Sequence, residues 1–254
     1  MAALRTALLL LCTSAFAAGQ TTLQIAAAAD LSPVLKELIP AFERANGAKV
    51  EAILGSSGNL FAQIQNGAPF DVFLSADDIY PQRLSTAGQA EHLMTYAEGS
   101  IVLWVRNDSK LDLAKGPDVL LDSSVKRIAI ANPAHAPYGR AAMSALEHLQ
   151  FSDKLRNKLV LGENISQATQ FVQTGNADVG IIAMSLALSR ELRDKGRYWQ
   201  VPQDAYPRMK QVGAVISTSK HKQTAEAFLA YLKTAAAQQI LKKYGFRPSG
   251  DPAS

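Results

Sequence analysis

From residue 22 to residue 244 the chain alternates short apolar runs with amphipathic stretches, and the two periods separate cleanly. Residues 23–27 form an apolar run of strand length. Val34, Leu35, Leu38, Ile39 and Phe42 then recur at helical spacing and predict a helix over 32–45. Ser32-Pro33 would serve as its cap and first turn, and Asn46-Gly47 as its stop. A strand over 49–54 leads into Gly55-Ser56-Ser57-Gly58, followed by a helix over 59–66 that Gly67 closes, a strand over 71–75 and a helix over 79–86. Strand and helix in alternation predict an α/β fold with largely parallel sheets, in which a ligand sits outside the carboxyl ends of the strands.

The pattern then starts again. Strands are predicted over 100–106, 127–131, 158–161 and 179–182, with a helix after the turn 132–139 and others over 152–157 and 166–174. A strand over 211–216 and helices over 223–232 and 235–244 finish the chain. The arrangement recurs without any sequence repeat, so it predicts two similar lobes: one from 19–98 and 210–254, the other from 99–209. The extended segments near 99–106 and 210–216 would pair as the crossing strands of a hinge, and small ligands favour the cleft of such a pair.

The first eighteen residues have a different character: Arg5, the apolar centre 8–11, and small residues at Ala15, Ala17 and Ala18. That is an export signal, with cleavage expected near Ala17–Gly19. The single cysteine, Cys12, lies inside it behind Leu11, where lipid attachment wants a small residue, so cleavage would leave a mature chain without a thiol. The remaining chain offers no uninterrupted apolar run of spanning length, which predicts an exported, soluble protein.

A formal net charge of +4 and 7% aromatic residues, with no basic run longer than a pair, argue against a nucleic-acid partner. The four histidines are scattered and form no metal-ligand spacing, although His135 falls within an unusual loop. Ser57 would be the nucleophile of a serine hydrolase, but Gly55-Ser56-Ser57-Gly58-Asn59 departs from the G-x-S-x-G elbow at its last position. Neither a P-loop nor an evident catalytic triad is present in the sequence, and an enzyme is not expected.

Three loops carry the candidate chemistry, and each precedes a helix: 26–32, Gly55-Ser56-Ser57-Gly58, and 132–139. Small residues, hydroxyls and helix-start N–H groups together suit an oxyanion. With Gln63-Ile64, Asn66-Gly67-Ala68-Pro69, Ser75-Ala76-Asp77, Asn132-Pro133, Ala136-Pro137-Tyr138-Gly139 and Tyr244-Gly245-Phe246 in order, the chain resembles the periplasmic molybdate-binding proteins of ABC transporters over its whole mature length.

The resemblance implies a two-lobed type II periplasmic binding fold and a monomer that takes molybdate or tungstate as ligand, holds no cofactor, and delivers its ion to a membrane permease. It carries the binding role to Ala29, Asp30, Ser57, Tyr138 and Ile165, whose neutral groups would contact the ion's oxygens, with no residue ligating the metal directly. Tyr138 and Ile165 would act through backbone N–H groups. Ala183 stands where some members place a ligand-binding tyrosine.

Asp30 departs from the Ser or Asn usual at its position. A carboxylate about 4 Å from a dianion costs roughly 8 kcal/mol at an effective dielectric of 20. Its side chain is therefore expected to turn away onto local amides, leaving its own N–H and the Ser32 hydroxyl as donors. An acidic acceptor would also suit a protonated oxyanion, so phosphate stands, with sulfate, as the alternative ligand.

Overall fold

The structure is a computed structural model, and it describes residues 22–249. The export segment 1–18 and its cleavage site lie outside the described residues. Among the described residues, no helix is long and apolar enough to cross a membrane.

Two five-stranded sheets carry the fold. The first contains β1 (Thr22–Ala28), β2 (Lys49–Gly55), β3 (Val72–Ser75), β4 (Ala90–Gly99) and β10 (Met209–Ile216), in the order β2-β1-β3-β10-β4. The second contains β5 (Ile101–Arg106), β6 (Ile128–Ala131), β7 (Leu159–Gly162), β8 (Val179–Ala183) and β9 (Gly196–Gln200), in the order β7-β6-β8-β5-β9. In each sheet three parallel strands meet a fourth that runs antiparallel to them. Each fourth strand lies outside the run of chain that supplies the parallel three: β10 follows the whole second sheet, and β5 precedes β6.

Helices cover both faces, which is why the strands are apolar without alternation. On β1, Leu23, Ile25 and Ala27 pack with α1 (Ser32–Asn46), α8 (Lys222–Leu232) and α9 (Ala235–Lys243). Ala26 faces the other way, toward α2 (Ser57–Gln65) and α3 (Ile79–Thr86). Gly47, at φ 69°, ends α1 in the left-handed region that an L side chain resists. The start of α1 differs from expectation: Ser32 is already helical, Leu31 occupies the cap position, and no side chain caps the turn. A 3-10 turn over Ala29–Leu31 runs straight into the helix and removes the need for one.

The hinge also differs. Strand β10 pairs with β3 and with 90–99, not with 101–106, which pairs with β8 and β9. The chain passes between the sheets at Ser100, and again along 201–208. Strands β4 and β9 were not foreseen, because AEHLMTYAEG and GRYWQ mix charge into edge positions where one side of the strand meets solvent.

In the first core Phe42 is fully buried, edge-on to Phe228 at 4.9 Å between ring centres and beside Tyr231 at 5.5 Å. Phe42→Ala should therefore cost roughly 3 to 5 kcal/mol. Urea unfolding of the ligand-free protein checks this, and a loss under about 1 kcal/mol would mean that the surrounding rings collapse into the gap.

Candidate functional site

The parallel strands of both sheets end at the interface between them, so the helices that follow start there. Three such helices leave one N–H each without a protein acceptor among the described residues. In α2, Ser56 caps the turn by accepting from Asn59 N–H at 3.4 Å, Leu60 N–H reaches the Ser56 carbonyl at 3.0 Å, and Gly58 N–H crosses to the His135 carbonyl at 2.9 Å. The N–H of Ser57 remains. In α6 (Ile165–Gln173), Asn164 Oδ1 takes the N–H groups of Ser166 and Gln167 at 3.0 and 3.1 Å, and its carbonyl takes that of Ala168, leaving Ile165. In α4 (Pro137–His148), Pro137 has no N–H to offer, and Gly139 and Arg140 donate to the Ala136 carbonyl, leaving Tyr138.

The Ser57 hydroxyl adds a donor. Its oxygen accepts from Ala76 N–H at 3.0 Å, which leaves the hydroxyl hydrogen free to turn elsewhere. No base stands against it: His135, the imidazole at this interface, places Nδ1 2.9 Å from Ser56 Oγ instead. The geometry gives Ser57 a donor's role rather than a nucleophile's.

All five residues singled out from the sequence, Ala29, Asp30, Ser57, Tyr138 and Ile165, border one small cavity of about 10 Å³, and no Lys or Arg lines it. Pockets for drug-sized molecules run to roughly 300 Å³ and above, so this one suits a small ion. A larger cavity of about 240 Å³ shares Ala76 and Pro137 with it and holds Arg140 and Asp77, which pair with each other. That larger space is lined by the starts of α3 and α4 but not by Ser57, Tyr138 or Ile165, and it forms the cleft outside the site.

Asp30 is fully buried and turns in a direction the sequence did not suggest. Instead of local amides its Oδ2 accepts from the Tyr138 hydroxyl at 2.9 Å, across the interface, and only its own N–H adds to this from nearby. The carbonyls of Ala29 and Asp30 accept from the hydroxyls of Ser166 and Ser185 at 3.2 and 2.8 Å. Ser32 makes none of these contacts. Ser185, in α7 (Met184–Ala187), stands two residues beyond Ala183 and supplies a hydroxyl to this region where Ala183 has none. Burial pushes the Asp30 carboxyl from 3.8 up to about 7, against the lowering effect of the Tyr138 hydroxyl, its own N–H and Gln211.

Polar contacts ring the cavity and tie the sheets together. Asn59 donates to Glu163 at 2.5 Å, Arg140 to the Tyr80 hydroxyl at 3.2 Å, and Lys36 pairs with Glu191 at 2.6 Å on the exposed rim. Exposed pairs of this kind contribute about 1 kcal/mol at most, so they guide closure more than they drive it. His135 belongs to this rim and does not line the cavity. Among the described residues, no group of three or more His, Cys, Asp or Glu could hold a metal ion.

Fold and site define a two-lobed α/β binding protein with a small, cation-free pocket between its sheets. The family model for bacterial extracellular solute-binding proteins matches residues 23–247. The chain is 39% identical to the molybdate-binding protein ModA of Azotobacter vinelandii over 91% of its own length and 92% of that protein's. It is 40% identical to ModA of Rhodobacter capsulatus over 87% and 86%. The solved periplasmic molybdate-binding protein of Azotobacter vinelandii superposes with a TM-score of 0.83 at 33% identity, covering 88% of this chain and 98% of that one. The chain belongs to the bacterial extracellular solute-binding proteins, in the family of the ModA molybdate-binding proteins, and is not an enzyme.

Asp30 gives the folded protein a definite pH dependence. Between about 3.8 and 7 the folded state holds a proton on Asp30 that the unfolded state has lost, so stability falls as pH rises through that window. Asp30→Asn should flatten this dependence, with a gain on the order of a few kcal/mol above pH 7. Urea midpoints measured from pH 4 to pH 8 check it, and parallel curves for the two proteins would contradict the burial.

Proposed function

We propose that this protein captures molybdate, and tungstate with it, in the cavity between its sheets and hands the ion to the permease of an ABC transporter. The observation that carries the reading is the convergence of the Ser57, Tyr138 and Ile165 N–H groups on one small cavity that no cation lines. Unpaired helix-start amides hold a deprotonated oxyanion by hydrogen bonds alone, with the ion as cargo rather than cofactor. Ala29 N–H and the Ser57 hydroxyl complete the donor set, with Asp30 N–H shared between its own carboxyl and the ion.

The return of β10 to the first sheet after the contiguous strands β5 to β9 have built the second supports lobes of 19–98 with 210–254 and of 99–209, joined through Ser100 and 201–208. Donors come from both lobes, so a bound ion favours the closed form. The segment 1–18 directs export to the periplasm, where cleavage near Ala17–Gly19 frees a monomer. Molybdate and tungstate match in charge and shape, so amide donors treat them alike, while the cavity's size sets them apart from sulfate.

Calorimetric titration of the refolded, ligand-free mature protein with molybdate, tungstate, sulfate and phosphate tests the reading. Molybdate and tungstate should bind alike and far more tightly than the other two. A preference for phosphate would move the function to a protonated oxyanion held by Asp30.

Ser57→Ala removes one charge-assisted hydrogen bond to the ion, worth about 1.5 to 3 kcal/mol, and should weaken molybdate binding roughly ten- to a hundredfold, while the loss of the acceptor of the buried Ala76 N–H costs the ligand-free protein about 1 to 3 kcal/mol. Unchanged affinity would reduce Ser57 to a structural residue.

Gly58 tests closure itself. A Cβ there would lie 2.6 Å from the His135 carbonyl and 2.8 Å from its Cβ, both across the cleft, and 2.6 Å from the Tyr80 hydroxyl tip on its own side, so Gly58→Ala displaces that tip in either form and meets the unyielding His135 backbone when the lobes close. With saturating molybdate the parent should shrink in small-angle scattering. The variant should stay wider and bind about tenfold or more weakly.

A further inference from the structure

Behind the cavity, away from the helix starts, lies a second feature: a pocket of buried polar atoms that the binding of an ion does not use. Asp30 Oδ1, both side-chain atoms of Gln211 and the Tyr96 hydroxyl are buried, and none completes a hydrogen bond. They are neighbours. Gln211 faces the Asp30 carboxyl closely enough to favour its ionised form, and the charge of Asp30 bears on the Tyr96 hydroxyl. The backbone of Gly99, where the chain leaves the first sheet, closes the group: a Cβ there would meet the Tyr138 hydroxyl at 2.5 Å and Gln211 Nε2 at 2.9 Å.

Buried polar groups are almost always paired, so four orphaned atoms around one carboxyl call for an occupant. The occupant must fit the charge as well. The titratable groups that face Asp30 are Tyr138 from α4 and Tyr96 from β4, with Tyr206 beyond Tyr138, and none of these carries positive charge at neutral pH. The same carboxyl borders the cavity that receives the anion. An ionised Asp30 would place like charges together with no cation between them.

We propose that this protein takes up its oxyanion together with one proton, which resides on the Asp30 carboxyl and is received by the unpaired Gln211 amide. The proposal rests on the oxyanion reading above. The Gln211 amide suits the role because it has one donor side and one acceptor side, both unpaired, so a half-turn lets it meet either form of the carboxyl. Tyr138 meets both forms as well, since a hydroxyl donates to either kind of carboxyl oxygen.

In the closed form burial outweighs the hydrogen bonds and brings Asp30 to about 7, whereas in the open, ligand-free form water returns it toward its ordinary acidity, so the proton is acquired as the lobes close on the ion. A dianion in the cavity raises the carboxyl further and makes that acquisition favourable. Affinity for a dianion should then fall as pH rises above the ordinary carboxylate range, approaching tenfold per pH unit.

Calorimetry of the mature protein with sodium molybdate, in buffers of different ionisation enthalpy, counts the protons directly. Close to one proton should enter per ion at pH 6 and at pH 8, with uptake absent from Asp30→Asn. A second readout does not depend on that variant folding: infrared difference spectra of the loaded parent at pH 8 should show a protonated-carboxyl band that shifts in heavy water. Tight molybdate binding at pH 8 without proton uptake or without that band overturns the proposal and leaves the oxyanion reading intact. No molybdate binding by the parent at either pH overturns both.

Discussion

The cleft is governed by one electrostatic constraint: it collects unpaired N–H groups around a small volume and keeps every lysine and arginine out of the wall. A positive potential made this way comes from dipoles that the backbone fixes, so it costs no side-chain ordering when an anion arrives. It also sets what the site accepts. Donors in fixed positions reward an ion of matching radius that needs nothing but donors, and they penalise one that carries a proton to give. Both sheets serve this constraint, because parallel strands that end on a common interface start their helices there, and Gly55, Gly58 and Gly139 keep the approach close. Gly139 shows how close: a Cβ would come within 2.2 Å of the Ala131 carbonyl.

Much of the fold could be read from the sequence because its signals are local. The 3.6-residue stripe of α1, the glycine stop at Gly47 and the strand-turn-helix order each depend on residues within a few positions of one another. The loops of the site were legible for the same reason, since capping chemistry is written in consecutive residues. Edge strands β4 and β9 were not, because an edge strand with one wet side lacks the apolar run that marks a central one.

Partners distant in sequence were also hidden. Nothing near Asp30 announces that its acceptor oxygen meets Tyr138, 108 positions away, or that Gln211 and Tyr96 close behind it. One signal was available: Gln211 is a polar residue in MKQVGAVI, a strand otherwise apolar beyond Lys210, and it sits where the pairing with β4 shifts register. A polar side chain that a central strand buries completely is an expense that packing alone does not repay, and such a residue points to a network.

The Asp30–Tyr138 hydrogen bond joins two elements that meet only when the lobes do, which connects the ion, the closure and the proton. With the lobes apart, water reaches the carboxyl and returns it toward its ordinary acidity, because desolvation is the main cause of its upward shift. On the proposed coupling, an opened protein would therefore lose the proton and regain a carboxylate beside the ion. At about 4 Å and an effective dielectric of 20, that repulsion is worth roughly 8 kcal/mol against a dianion, more than any single amide donor contributes. On that proposal, a residue that looks unsuited to an anion site acquires a direction of action: neutral and silent while the cleft is shut, charged and expelling were a membrane partner to draw the lobes apart. An asparagine at the same position would hold the ion equally well in the closed form and would lack the means to push it out.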